Sequence, residues 1–141
     1  MPTSKASAWW QGDLKSGSGH MRTGTGKFDS DFTAGARFKG EPGTNPEELL
    51  GAAYAGCFSM ALSNLLDEAG HTPNRIDTTA KVLLEQVEDG FKIKLIELTT
   101  EGDVPNIDKD MFEKYVDEAK DNCPVSLALT GVEKRVNSTL K

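Results

Sequence analysis

The chain has 141 residues, enough for one domain over 1–141 with a core that needs no disulfide or metal support. Its formal net charge is −6, with Lys and Arg scattered, which argues against nucleic acid or an anionic membrane surface as partner. No apolar run approaches the ~20 uncharged residues of a membrane span, and "MPTSKASAWWQGDLK" has no apolar core of signal-peptide length, so a cytoplasmic chain is expected.

Residues 1–40 read as short strands with glycine-rich turns: "SAWWQG", "HMRTGTGKF" and "AGARFKG". "GTGKF" does not make a phosphate loop, because no hydroxyl follows Lys27 and no buried strand precedes it; hairpin turns fit better. "GEPGTNPEELL" then opens a helix. Asn45 can cap it, Pro46 suits its first position, and Glu47 and Glu48 face the positive end of its dipole.

That helix is predicted to run to about Ala69 and to stop at Gly70. From Leu49 to Leu66 it is apolar on nearly every face, so burial all round is expected. A chain this short can hardly wrap so long a helix, and a partner subunit is expected to cover part of it.

Period-two alternation follows, with Ile76, Thr78, Ala80, Val82 and Leu84 on one face. "EDGF" turns the chain and "FKIKLIELTT" returns as a second strand. Asp108 opens an amphipathic helix with Met111, Phe112, Tyr115, Val116 and Ala119 on its buried stripe. Cys123-Pro124 ends it and starts the short helix "PVSLALT", and Gly131 leads into a last strand. The pattern is α+β, antiparallel strands around one long buried helix.

The chemistry-bearing residues are few. Cys57 sits in an apolar run, where a thiol acts as a small hydrophobe and stays inert unless a cation lies beside it. Cys123 occupies the N-cap of the helix that Pro124 begins, where backbone amides favour a thiolate, although Asp117 and Asp121 oppose this. On local grounds Cys123 is the better nucleophile. The nitrogens His20 and His71 have no paired spacing for zinc, Ser59 and Ser126 lack a triad pattern, and Tyr54, Trp9 and Trp10 read as packing.

"ARFKGEPGTNPEELL", "NPEELLGAAYAGCFSMAL" and "NCPVSLAL" resemble the osmotically inducible protein C and organic hydroperoxide resistance family (OsmC/Ohr) of thiol peroxidases. The likeness covers nearly the whole chain. Arg-Phe-x-Gly-Glu and Cys-Pro-Val-Ser are similar to the OsmC branch, since the Ohr branch usually has an aromatic residue where Val125 stands. The resemblance implies an intertwined homodimer, with long central helices enclosed by antiparallel sheets and active sites at the subunit interface.

It also implies roles. Cys57 would be the peroxidatic thiol, Cys123 the resolving thiol, Arg37 the activating cation and Glu47 its carboxylate partner. Ten helical residues rise about 15 Å, so Glu47 cannot touch Cys57 of its own straight helix. The expectation is that Glu47 acts from the partner subunit. A hydroperoxide would be the substrate and an external dithiol, of lipoyl type, the reductant, with no metal, haem or flavin. The rival is a non-enzymatic stress protein that binds an apolar ligand and keeps both thiols structural. A redox sensor finds no support in a DNA-binding helix or a basic face.

Overall fold

The computed structural model describes residues 1–141, and the chain divides into two compact units, Met1–Leu49 and Leu50–Lys141. In the first unit, β1 (Ala6–Gln11), β2 (Ser18–Thr23) and β3 (Asp29–Phe32) form an antiparallel sheet in chain order. The segment "AGARFKG" is not the strand expected from the sequence. Thr33 takes extended backbone and its hydroxyl accepts from the Ala36 amide at 3.1 Å, and this cap turns Ala34–Phe38 into a short helix, α1.

The long helix α2 (Pro46–Glu68) starts at the end of this unit as its sequence predicts. Asn45 Oδ1 accepts from the Glu48 amide at 2.8 Å, while its Nδ2 donates to the Ala36 carbonyl at 3.3 Å. One side chain therefore caps α2 and ties its start to α1. At the other end Gly70 adopts φ +87°, and the chain leaves the helix there.

In the second unit, β4 (Arg75–Val87) and β5 (Gly90–Asp103) pair antiparallel across the turn at Glu88-Asp89. Ile76, Thr78, Ala80, Val82 and Leu84 are the half-buried face of β4, as the alternation predicts. The chain then crosses over through α3 (Lys109–Asn122) and α4 (Pro124–Ala128) and returns as β6 (Glu133–Leu140). β6 pairs with β5 in parallel, so this sheet is mixed and the expectation of wholly antiparallel sheets is corrected. A crossover through helices naturally delivers a parallel strand.

Tyr54, Phe58, Leu62 and Leu66 repeat every fourth residue along α2 and are completely buried against Ile96, Leu98, Phe112 and Val116. α2 lies close on β4. A side chain at Gly51 would meet Val82 Cγ2 at 3.2 Å, and Ser59 donates to Thr78 Oγ1 at 2.8 Å. Met111 of α3 is exposed, contrary to its expected place on the buried stripe. It stands one residue before Phe112, so the stripe of Phe112, Val116 and Ala119 turns it outward.

One expectation about α2 involves a partner subunit, and another needs correction. Within one chain it is buried along a single stripe only; Ala52, Ala53, Gly56 and Met60 are exposed, Met60 to 77%. The helix is also long and apolar enough, by length and composition, to cross a membrane. Its stretch Leu49–Leu66 carries no charge, and the small residues within it lower its apolar character only modestly. Its buried stripe nevertheless packs on the chain's own sheet, as a core helix does.

Candidate active site

Each compact unit brings together two of the four residues singled out from the sequence. In the first, Arg37 ends α1 and Glu47 lies in the first turn of α2. Arg37 Nε donates to both Glu47 carboxylate oxygens at 3.2 Å, and Nη2 donates to Oε1 at 2.8 Å. Planar guanidinium meets planar carboxylate, which fixes orientation as well as proximity. Glu47 is nearly buried while Arg37 is about a third open, so the carboxylate is the anchor and the guanidinium the accessible end. The Arg37 guanidinium also lies 5.3 Å from the centre of the Phe38 ring.

Glu48, its neighbour, does different work. It accepts from the Thr44 hydroxyl at 2.9 Å, and its backbone amide is the one capped by Asn45. A cleft of about 440 Å³ opens beside Arg37, walled by Trp10, Leu14, Phe32 and Phe38. Its lining is mostly apolar, and Arg37 is the one charged residue in it.

In the second unit Cys57 and Cys123 meet. Both are free, and Cys57 is near enough to help raise the pKa of the Cys123 thiol. Cys57 is half-buried on α2, and Cys123, 2% exposed, stands between α3 and α4. Cys123 stands at the N-cap of α4, but its sulfur makes no side-chain capping hydrogen bond; the nearby Ser126 and Val125 amides act on it only by favouring the thiolate. The expected outcome does not follow. Burial pushes the Cys123 thiol up, the neighbouring Cys57 adds to this, and the amides pull the other way without prevailing. The local reading of Cys123 as the readier thiolate is corrected, because burial is a tertiary effect the local sequence does not carry.

Tyr54, one helical turn before Cys57, does more than pack. Its hydroxyl donates to the Lys120 carbonyl at 2.9 Å. In α3 that carbonyl would bond the amide of residue 124, but Pro124 has none, so Tyr54 fills the vacancy that the proline creates. Burial is the main cause that pushes the Tyr54 phenol up to about 12, with Cys123, Asp121 and Cys57 adding to it. Ser126 is 1% exposed and its hydroxyl has no partner at hydrogen-bonding geometry, although it lies beside the Tyr54 oxygen. Lys134 of β6 closes the other end of α4, donating to the Ser126 carbonyl at 3.1 Å and the Leu129 carbonyl at 2.8 Å.

The sequence carried one signal for Ser126, its place three residues after an N-cap cysteine, and none for Lys134. His20 is held by Asp29 and Asp31 of β3 and stacks on Trp9, and these bonds raise its pKa. No group of three or more His, Cys, Asp or Glu side chains is placed to share a metal ion.

Residues 38–137 match the family of OsmC-like proteins. Peroxiredoxin OsmC of Escherichia coli strain K12 is 51% identical over 126 residues, covering 89% of this chain and 88% of that protein. Organic hydroperoxide resistance protein OhrB of Bacillus subtilis strain 168 is 30% identical over 115 residues, covering 80% and 82%. The crystal structure of B. subtilis OhrB superposes with a TM-score of 0.76 at 31% identity, covering 99% of this chain and 98% of that one. An organic hydroperoxide resistance protein OsmC from Legionella pneumophila gives 0.80 at 26% identity, over 99% and 98% of the two chains.

Proposed function

Because the chain belongs to the OsmC family, and to its OsmC branch rather than its Ohr branch, we propose that it is a cysteine-based peroxidase acting on organic hydroperoxides, and less well on hydrogen peroxide. The observation that carries this reading is the meeting of two free thiols, Cys57 and Cys123, in one partly buried cluster. The names of the relatives support it: one is a peroxiredoxin, another an organic hydroperoxide resistance protein.

In the proposed reaction the Cys57 thiolate attacks the outer peroxide oxygen. The O–O bond breaks, an S–O bond forms, and the alkoxide leaves as alcohol with a proton, leaving a sulfenic acid on Cys57. Cys123 then attacks the Cys57 sulfur and expels water, and an external dithiol reduces the disulfide by exchange. A lipoyl-type dithiol suits that last step, and the cycle takes no metal, haem or flavin. Cytoplasmic action fits, since thiols stay reduced there.

An apolar setting leaves Cys57 unreactive without a cation. We assign that cation to Arg37, held by Glu47, of a second subunit in a homodimer with active sites at the interface. The exposed apolar stripe of Ala52, Ala53, Gly56 and Met60 supports a second copy as the cover for α2. The cleft beside Arg37 offers an apolar berth for the alkyl group of the peroxide.

The test is a single experiment. Reduced protein is mixed with cumene hydroperoxide and a dithiol, and peroxide loss is followed for wild type, Cys57→Ser and Cys123→Ser. Wild type turns over, Cys123→Ser reacts once and stalls as a sulfenic acid, and Cys57→Ser is inactive. Equal, slow peroxide loss by wild type and Cys57→Ser would overturn the assignment and leave the apolar-ligand binder standing.

A further inference from the structure

Condensing a thiol with a sulfenic acid needs a proton moved. The Cys123 S–H must lose it, and the hydroxyl on Cys57 must gain it to depart as water. Burial holds the Cys123 proton on, and solvent is poorly placed to collect it, since that residue is 2% exposed. Some group within the cluster therefore has to carry it.

The candidates near the thiols can be weighed one by one. Tyr54 has a single proton, and it is committed to the Lys120 carbonyl at 2.9 Å. Burial keeps the phenol protonated up to about 12, so it is also a poor base. The Asp121 carboxylate is exposed and lies 3.6 Å from Lys120 Nζ. The Ser126 and Val125 amides favour the Cys123 thiolate as it forms without a capping bond to its sulfur, and an amide does not relay a proton.

Ser126 Oγ remains. It is buried, it is unpartnered in the reduced protein, and it sits in the first turn of the helix that Cys123 caps. Leaving a buried hydroxyl unpaired costs about 1–3 kcal/mol, so such a group is uncommon unless something joins it in another state. Oxidation of Cys57 brings that something, an S–OH with a donor and acceptor oxygen.

We propose that Ser126 is the proton shuttle of the resolving step: its oxygen accepts the Cys123 thiol proton while its own O–H goes to the departing Cys57 hydroxyl. The S–S bond forms, the S–O bond breaks, water leaves, and Ser126 ends unchanged. The oxidising equivalent is the one the organic hydroperoxide delivered to Cys57. Lys134 holds the Ser126 carbonyl and Tyr54 lies beside the hydroxyl, so both position the shuttle without carrying the proton. The proposal rests on the peroxidase reading above.

The test separates the two chemical steps in a single turnover of the full-length protein with cumene hydroperoxide. Peroxide loss reports the first step and serves as internal reference; acid quench and mass analysis report disulfide formation. Ser126→Ala is expected to slow disulfide formation relative to peroxide loss by at least about tenfold, with dimedone-trapped sulfenic acid accumulating. Ser126→Thr, which keeps the hydroxyl, restores the ratio.

Wild type supplies a measurement independent of any variant's folding. Its resolving step should slow by about twofold or more in deuterated water, an effect that Ser126→Ala lacks. An unchanged ratio in Ser126→Ala overturns the shuttle, as does a wild-type resolving step indifferent to deuteration. Absence of peroxide loss by wild type would bring down the peroxidase reading itself, and that first trace shows which of the two has failed.

Discussion

Arg37 and Glu47 face each other edge to edge, with two guanidinium nitrogens bound to one nearly buried carboxylate. The pair contributes little to stability, because a part-exposed ion pair is worth about 0–1 kcal/mol. Its value under the proposed function is aim. Glu47→Gln keeps the shape but loses the charge that orients the fork, and Arg37→Lys keeps the charge but loses the fork. Each should lower kcat/KM for cumene hydroperoxide by on the order of tenfold to a hundredfold while shifting Tm only slightly. A large fall in Tm with an intact rate in the remaining folded protein would mark the pair as structural.

Gly102 in β5 lies directly against the ring of Phe112. A Cβ there would stand 2.6 Å from Phe112 Cε1 and 3.3 Å from Val104 Cγ2. Phe112 is completely buried among α2 and α3 residues and has no free space to yield. Gly102→Ala should therefore destabilise the fold by about 1–3 kcal/mol, the usual cost of overpacking. Urea unfolding with an unchanged m-value would measure it; a neutral substitution would mean that the ring can shift.

The elements legible in the sequence were those with strong local signals. Asn45, Pro46 and Gly70 bound α2 because caps and terminators act within a turn, and the alternation from Ile76 to Leu84 set the face of β4. α1 was not legible, since five residues are too few for periodicity and a single Thr33 hydroxyl decided the matter. Nor was the direction of β6: an alternating strand reads the same whether it pairs parallel or antiparallel. At the site, residue types and family spacing marked Arg37, Glu47, Cys57 and Cys123. The bond from Tyr54 to Lys120 spans far too much chain for any window to register, and the burial that raises the Cys123 thiol exists only once the core has formed.

Met60 stands in the open apolar stripe of α2, 77% exposed in the single chain. If a second copy covers that stripe, a charge there has to be buried unpaired, which costs several kcal/mol. Met60→Glu should therefore turn a dimer into a monomer by sedimentation at micromolar concentration and abolish peroxide turnover. A sharper check combines an inactive variant with an impaired one. Mixing Cys57→Ser with Glu47→Gln under subunit exchange should raise activity above the residual rate of Glu47→Gln, because one of the two sites in the heterodimer then draws an intact thiol and an intact Arg37–Glu47 pair from different chains. No recovery would mean that each chain serves its own thiol.

Tyr54 makes stability depend on pH in a way that can be read directly. Its phenol pKa is raised from 10.0 to about 12, chiefly by burial, so the folded protein holds this proton more tightly than the unfolded chain does. That contribution is fully present below pH 10 and is lost as pH rises towards 12. At about 1.4 kcal/mol per pKa unit it amounts to about 3 kcal/mol. The raised Cys123 thiol works in the same direction, beginning from its ordinary value of 9.0. Tyr54→Phe removes the phenol and should flatten the alkaline limb of the stability curve. At neutral pH the same variant leaves the Lys120 carbonyl without a donor, since Pro124 cannot supply one, and loses about 1–3 kcal/mol. Urea midpoints from pH 7 to 11 for the two proteins should converge as the pH rises. Parallel curves would show that the phenol titrates alike in both states.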